Sequence, residues 1–148
     1  MSEALTALYA GETDRARELL APDDELSVFE AAAFGRTDRL RRLLREDATA
    51  VDAFSDDGFT PLHLAVFGCQ EEAVRVLIAH GADVDAVSTA SFAQVTPLGT
   101  AAFVRSVPLA RLLLDAGADP GACDRGALRT AEANGDDGLA RLLRAGMR

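Results

Sequence analysis

A motif that recurs at a fixed interval constrains this chain more than any other feature of its sequence. The segment 60–65 reads TPLHLA, and 36 positions later the segment 96–101 reads TPLGTA. An apolar run follows each copy and ends at a Gly-Ala-Asp triplet, at 81–83 and again at 117–119. A period of this length indicates a solenoid of stacked supersecondary units, because one such unit cannot bury its apolar face alone.

Capping residues predict two helices in each repeat. Thr60 can accept a hydrogen bond at a helix N-terminus, and Pro61 fits the first helical position, where its missing N–H costs nothing. Thr96 and Pro97 stand in the same relation. Gly81 follows the second apolar run, where a left-handed residue ends a helix. The apolar residues between these signals have the spacing of one buried helical face.

These residues resemble the ankyrin repeat family, whose unit of about 33 residues has a β-turn, two antiparallel helices and a T-P-L-H-x-A signature. The resemblance implies an all-α ankyrin-repeat solenoid of about five helix pairs with short β-turn or hairpin fingers. A weaker copy at 27–33 aligns with the copy that starts at Thr60, and further helix pairs are predicted at both ends. We expect one domain, 1–148, whose approximate units are 1–24 (an N-terminal cap pair), 25–57, 58–93, 94–124 and 125–148 (a C-terminal cap pair).

The chain departs from the family pattern in three places. The finger between Gly81 and Thr96 carries about three extra residues, so the repeat period here is 36 instead of about 33. Cys69 and Arg105 stand where the family has glycine in the turn between the two helices. In the last repeat, residues 126–127 read Gly-Ala in place of Thr-Pro. These departures affect helix boundaries and turns rather than the fold.

The charge balance excludes several classes of partner. With 24 acidic residues against 15 arginines and no lysine, the formal net charge is −9, which argues against nucleic acid and against anionic membranes. No apolar run approaches the ~20 residues of a membrane helix, and the N-terminus lacks the pattern of a secretory signal. Only Cys69 and Cys123 are present, without a metal-binding spacing. We expect a cytoplasmic protein without metal or cofactor, and the alanine- and arginine-rich composition looks bacterial.

No residue pattern predicts catalysis. His63 belongs to the signature, and the resemblance implies a structural role in which its imidazole bonds backbone in the adjoining turn. Neither serine, cysteine nor carboxylate is placed near it as an activated nucleophile would be. The arginine-rich segment 36–45 has Asp38 within it and Glu46 and Asp47 directly after it, which predicts a solvated helix face with local ion pairs. A docking patch for an acidic partner is the alternative for that segment.

Aromatic residues are the most informative constellation. Four of the eight aromatics share one repeat position, seven residues after each signature start: Tyr9, Phe34, Phe67 and Phe103. Stacking turns a repeat position into a row, and exposed apolar rows mark interfaces. Packing of the groove floor is the alternative reading. Together with residues on or beside the fingers, the predicted partner-binding set is Tyr9, Phe34, Phe67, Phe103, Phe59, Phe92, Asp56 and Asp57.

The sequence therefore predicts a non-catalytic protein–protein interaction module, a scaffold that binds through its concave groove and finger tips. The expected partner is another protein, with a basic or apolar segment, and the expected state is a monomer. Two alternatives stay open. One is a regulatory protein that binds a small molecule in the aromatic groove, and the other is a structural module that self-associates.

Overall fold

A computed structural model of the chain describes residues 2–91 and 94–147. Within these residues the chain forms ten α-helices and no strand, which confirms the predicted all-α solenoid of helix pairs. Two short 3₁₀ segments, Asp23–Glu25 and Ala48–Asp52, lie in the connections. The helices, paired in chain order, are α1 (Glu3–Tyr9) and α2 (Thr13–Glu18), α3 (Val28–Ala33) and α4 (Thr37–Glu46), α5 (Pro61–Phe67) and α6 (Glu71–Ala79), α7 (Pro97–Phe103) and α8 (Val107–Asp115), and α9 (Ala122–Ala133) and α10 (Asp137–Gly146).

The first helix of each central repeat begins at its predicted cap. The Thr60 hydroxyl oxygen accepts a hydrogen bond from the His63 backbone N–H at 3.3 Å, and Thr96 accepts one from Gly99 at 3.1 Å. Ser27 caps α3 within a capping box. Such caps satisfy backbone donors that have no partner inside the helix, so the residue pattern determines where these helices start.

The turns between paired helices share one left-handed residue. Gly11, Gly35, Cys69, Arg105 and Gly135 occupy this place in the five pairs, with φ between 57° and 80°. Glycine adopts the conformation freely, whereas a side chain there costs ~1–2 kcal/mol. The turns between paired helices in the third and fourth repeats therefore carry local backbone strain that the corresponding turns of the other three do not.

The core lies between the stacked helix pairs and is built of leucines with small residues between them. Ala65 and Ala101, on the first helices, are completely buried. A Cβ atom on Gly68 would strike the carbonyl oxygen of Ala33, so glycine is needed where the third pair approaches the second. The largest fully buried side chains include Leu26, Leu40, Leu44, Leu62, Leu77, Leu98, Leu113, Leu139 and Leu143.

Two neighbouring fingers dock on each other. The finger that precedes α5 turns at residues 55–58, where the Gly58 N–H donates to the Ser55 carbonyl at 2.9 Å. From the next finger, the Thr89 N–H donates to the Gly58 carbonyl at 2.8 Å. Gly58 has φ +90°, and a Cβ there would strike the backbone nitrogen of Ala90. The fingers are therefore held in a fixed relation at the edge of the site described below.

The last repeat begins differently from the others. Cys123, Asp124 and Arg125 have φ between 53° and 59°, so the regular part of α9 starts only at Gly126. The Thr-Pro signature is missing here, and Gly121, which precedes α9, offers no side chain to cap the helix. A left-handed turn takes the place of the usual capped helix N-terminus.

Candidate functional site

Four aromatic side chains from three repeats line one half-open groove of about 390 Å³. Tyr9 comes from the end of α1, Phe59 from a finger, and Phe67 and Phe103 from the ends of α5 and α7. The lining is almost entirely apolar. We call this site the aromatic groove, and its lining residues are Tyr9, Phe59, His63, Leu64, Phe67, Val95, Gly99, Thr100, Phe103 and Thr130.

The four rings form a continuous array. Tyr9 meets Phe67 edge to face, with ring centroids 5.6 Å apart, and it lies tilted against Phe59 at 6.2 Å. Phe67 and Phe103 are nearly parallel, with centroids 6.3 Å apart. These separations fall in the range of favourable aromatic pairs, which contribute ~0.5–1.5 kcal/mol each beyond the area they bury. The rings therefore support one another and present their remaining surface to the groove.

A carboxylate lies at the edge of the aromatic groove. The Tyr9 hydroxyl donates to Asp57 Oδ2 at 3.4 Å. Burial, followed by the charge of Asp57 and this hydrogen bond, raises the pKa of Tyr9. The phenol therefore keeps its proton and stays a donor at neutral pH. Within the described part of the chain, Asp57 forms no salt bridge, and its side chain is half-buried.

His63 is buried beside the groove with both ring nitrogens engaged. Nδ1 accepts from the Thr60 backbone N–H at 3.3 Å, and Nε2 donates to the Val95 carbonyl at 2.8 Å. Burial outweighs the favourable hydrogen bonds and lowers the pKa of His63. The neutral ring therefore ties the start of α5 to the next finger. This arrangement matches the structural role that the resemblance implied, and it leaves no ring nitrogen available as a base.

Exposure differs along the array. The Phe103 side chain is 65% exposed, whereas Phe67 and Tyr9 are half-buried and also pack against the core of the first repeats. The shared repeat position therefore combines a packing role, stronger towards the N-terminal end, with an exposed apolar surface towards the C-terminal end.

The structure brings together only part of the predicted set. Tyr9, Phe59, Phe67 and Phe103 meet in the groove, and Asp57 joins them through Tyr9. Asp56 lies exposed on the same finger. Phe34 faces elsewhere and lines a separate, more polar pocket with Arg17, Arg36 and Gln70. Phe92 falls outside the described residues.

Sequence reasoning missed several residues that line the groove. Val95, Thr100 and Thr130 gave no signal, since single apolar or hydroxyl residues on a repeat are ordinary. Gly99 did carry a signal, because it replaces the histidine of the signature TPLH in an otherwise matching copy. That substitution proves to face the groove.

Other chemistry finds little support. In residues 2–91 and 94–147, no three His, Cys, Asp or Glu side chains gather in a way that could hold a metal ion. Burial raises the pKa of the Cys69 thiol, which disfavours the reactive thiolate. Among the helices described, none has the length and apolar character needed to cross a membrane.

The arginine-rich helix α4 is engaged in local contacts. Arg41 forms salt bridges with Asp38 at 3.5 Å and with Glu72 of the next repeat at 3.3 Å. The Arg39 Nε donates to the Leu26 carbonyl at 3.1 Å. These contacts favour the solvated helix face over a docking patch for an acidic partner.

Comparison with known proteins agrees with this architecture. Ankyrin repeat domain-containing protein 49 is 48% identical over 58 residues in Bos taurus and 47% identical over 58 residues in Homo sapiens. Each of these matches covers 39% of this chain and 24% of that protein. Ankyrin repeat and SAM domain-containing protein 6 of Danio rerio is 37% identical over 67 residues, which are 43% of this chain and 9% of that protein.

The matches therefore span about a quarter or less of these curated relatives. The family assignment rests on a family profile described as "Ankyrin repeats (3 copies)", which matches residues 3–88 and again 28–124. Together these two matches cover most of the chain, and with the signature, the caps and the five helix pairs they establish that it belongs to the ankyrin repeat family.

Proposed function

We propose that this protein is a non-catalytic interaction module that binds another protein through its aromatic groove and the neighbouring finger tips. The observation that carries the proposal is the convergence of Tyr9, Phe59, Phe67 and Phe103 on one half-open apolar groove. Aromatic side chains are enriched among the residues that dominate binding energy, especially near the centre of an interface.

Family membership supports the same reading. Ankyrin repeats generally mediate binding to other proteins, and the family is typically non-catalytic. Because a fold by itself does not determine function, the groove is the stronger argument for this chain. The engagement of both nitrogens of His63 also speaks against general base catalysis in the groove.

Charge points to a basic partner. The net charge of −9 attracts a positively charged surface and accelerates its encounter at low salt. Asp57 places a carboxylate at the groove edge, and Asp56 lies exposed on the same finger. The proposed partner is therefore a protein segment that combines an apolar side chain with lysine or arginine, met by a monomer in the cytoplasm.

A small-molecule regulator is the second candidate, and the size of the groove favours it. About 390 Å³ lies within the ~300–1,000 Å³ of typical small-molecule sites. Such sites usually add a few placed polar groups that orient the ligand. Here His63 is already engaged and the lining is almost entirely apolar, so a partner side chain fits the groove better.

The test compares two exposed apolar side chains. Phe103 is 65% exposed in the groove, and Leu19 is 37% exposed after α2, outside the groove, so each can be changed to alanine without disturbing the core. Proteins captured by the wild-type chain from its native cell are identified and purified, and their affinities for both variants are measured by calorimetry. We expect Phe103→Ala to lose binding and Leu19→Ala to keep it.

Equal affinity for Phe103→Ala and wild type would overturn the groove as the binding site. Light scattering over a range of protein concentrations tests the third possibility. A mass that rises with concentration, and that Phe103→Ala returns to the monomer, would favour self-association over binding to a different protein.

A further inference from the structure

The third and fourth repeats build the groove from unequal side chains. Their first helices align from Thr60 and Thr96, so His63 corresponds to Gly99, and Leu64 corresponds to Thr100. All four of the aligned helix residues line the groove. The third repeat thus contributes an imidazole and an isobutyl group, whereas the fourth contributes a hydrogen atom and a short hydroxyl side chain.

A methyl group would fit at Gly99 without a clash. A Cβ built on Gly99 would find its nearest neighbours, Thr96 Oγ1 and the Val95 Cβ, at 3.6 Å, which is ordinary van der Waals distance. Gly99 sits in regular helix without a positive φ, so the backbone does not require glycine there. Glycine is also a poorer helix former than alanine, so the helix gains nothing from it. The backbone and its neighbours would therefore accept a larger residue at this point of the groove wall.

The groove edge adds a charge to this hollow. Asp57 accepts one hydrogen bond from Tyr9 and has acceptor capacity left, since an ionised carboxylate offers about four lone-pair sites. Aromatic faces next to it attract a cation as well. An ammonium or guanidinium group that reaches Asp57 would thus gain a charge-assisted hydrogen bond beside the rings of Tyr9 and Phe59.

We propose that Gly99 is the specificity-determining residue of the groove. The hollow over Gly99 and Thr100, beside the rings of Phe67 and Phe103, receives one large apolar side chain of a partner segment, and Asp57 binds a lysine or arginine close to it in that segment. The inference rests on the proposed function. It narrows the partner to a protein segment with two defined anchor residues, one apolar and one basic. The net charge of −9 complements the basic anchor, and the apolar groove complements the apolar anchor.

The experiment selects peptides from a random phage-displayed library on the whole chain and measures their dissociation constants. We expect the wild type to select peptides with a large apolar residue close to a basic one. Gly99→His gives the fourth repeat the residue of the third and fills the hollow. It should weaken the binding of these peptides roughly 10-fold or more, which is the scale of one lost anchor residue.

A matched set of variants separates folding from binding. Gly99→Ala should preserve or raise the melting temperature, because alanine favours helix, and should still weaken the peptides. Gly138→Ala, which places the same methyl group on α10 away from the groove, should leave affinity unchanged. Asp57→Asn should reduce the preference for basic residues and the dependence on salt while the apolar preference remains.

The remaining outcomes would each contradict one part of the proposal. Peptides that lose affinity with Phe103→Ala but not with Gly99→His would overturn the role of Gly99 and leave groove recognition intact. Peptides insensitive to both variants would overturn the proposed function as well. If no peptide is selected, or if the apolar dye ANS binds instead and its binding depends on Gly99, the proposal that a peptide occupies the groove is wrong.

Discussion

The Tyr9 hydroxyl donates to Asp57 Oδ2 over 3.4 Å, and this contact joins the first helix pair to the finger that precedes α5. It passes over the second helix pair, α3 and α4, whose equivalent aromatic Phe34 lies in another pocket. In a solenoid most contacts are between neighbours, so a bond of this kind couples the N-terminal cap pair to the centre of the molecule.

Removing only this hydroxyl tests the coupling. Tyr9→Phe keeps the ring contacts and should lower the free energy of unfolding by about 0.5–1.5 kcal/mol, measured by urea denaturation. The folded state raises the pKa of Tyr9 above the ordinary 10. The unfolded chain therefore releases this proton first, and the hydroxyl's contribution should decline as pH rises above about 10. Identical alkaline unfolding curves for wild type and Tyr9→Phe would contradict this assignment.

His63 predicts a dependence of stability on pH in the acidic direction. Burial lowers its pKa below the ordinary 6.5, despite the hydrogen bond to Val95 and the negative charge of Asp83. As pH falls below about 6.5, the unfolded chain takes up a proton that the folded protein resists, so the free energy of unfolding decreases. Above that pH both states are neutral and the dependence disappears.

Urea denaturation between pH 7.5 and 5 measures the effect. His63→Gln should lose this dependence, although it also lowers stability throughout by removing the bond to Val95. His80→Gln, which changes an exposed histidine at the end of α6, is measured alongside as the matched variant. An unchanged slope in His63→Gln would assign the dependence to other groups.

Two turn residues offer stabilising substitutions. Cys69 and Arg105 adopt φ of 57° and 59°, where three equivalent turns have glycine. Cys69→Gly and Arg105→Gly should each raise the free energy of unfolding by up to ~1 kcal/mol, since relief of strain exceeds the entropy that glycine adds to the unfolded chain. Cys69→Ala, which retains a Cβ, should give no such gain. Thermal unfolding of the three variants decides the matter.

The centre of the solenoid should be its most protected part. Leu62 and Leu77 are fully buried with helix pairs on both sides, whereas α2 and α10 lie at the ends with one neighbouring pair. One-dimensional stacking implies that opening starts from the ends. Native-state hydrogen exchange should therefore be slowest in α5 and α6. Greater protection over residues 139–143 would contradict this order.

The course of the backbone could be predicted more completely from the sequence than the arrangement of side chains in the groove. Thr60 with Pro61, and Thr96 with Pro97, indicated helix starts because caps and proline act locally, and Gly81 marked a helix end for the same reason. A repeat period then placed the helices in pairs. These features depend on a few adjacent residues, so a sequence alone reveals them.

The direction of a side chain depends on what surrounds it, which a repeat position does not specify. Tyr9, Phe34 and Phe67 share one position, yet Tyr9 reaches Phe67 while Phe34 lines a polar pocket with Arg36. The uniform row of aromatics was thus only an approximation. The place of Gly99 in the groove could not be predicted from the sequence either. The sequence shows that glycine replaces the histidine of the signature, but only the structure shows which residues surround that position.

Phe67 and Phe103 distinguish packing from recognition. Phe67 is half-buried and contacts the rings of Tyr9 and Phe103, so Phe67→Ala should cost about 2 kcal/mol of stability, less than the ~3–5 kcal/mol of a fully buried ring. Phe103 is 65% exposed, and Phe103→Ala should stay within roughly 1 kcal/mol of wild type.

Binding should rank the two variants differently. If the groove is the recognition site, Phe103→Ala should lose roughly 10-fold or more in affinity for the partner with almost no change in melting temperature, because an exposed anchor acts mainly in the complex. Urea denaturation and calorimetry on the same preparations provide both quantities. Loss of stability in Phe67→Ala, together with unchanged affinity in both variants, would assign the aromatic array to packing alone.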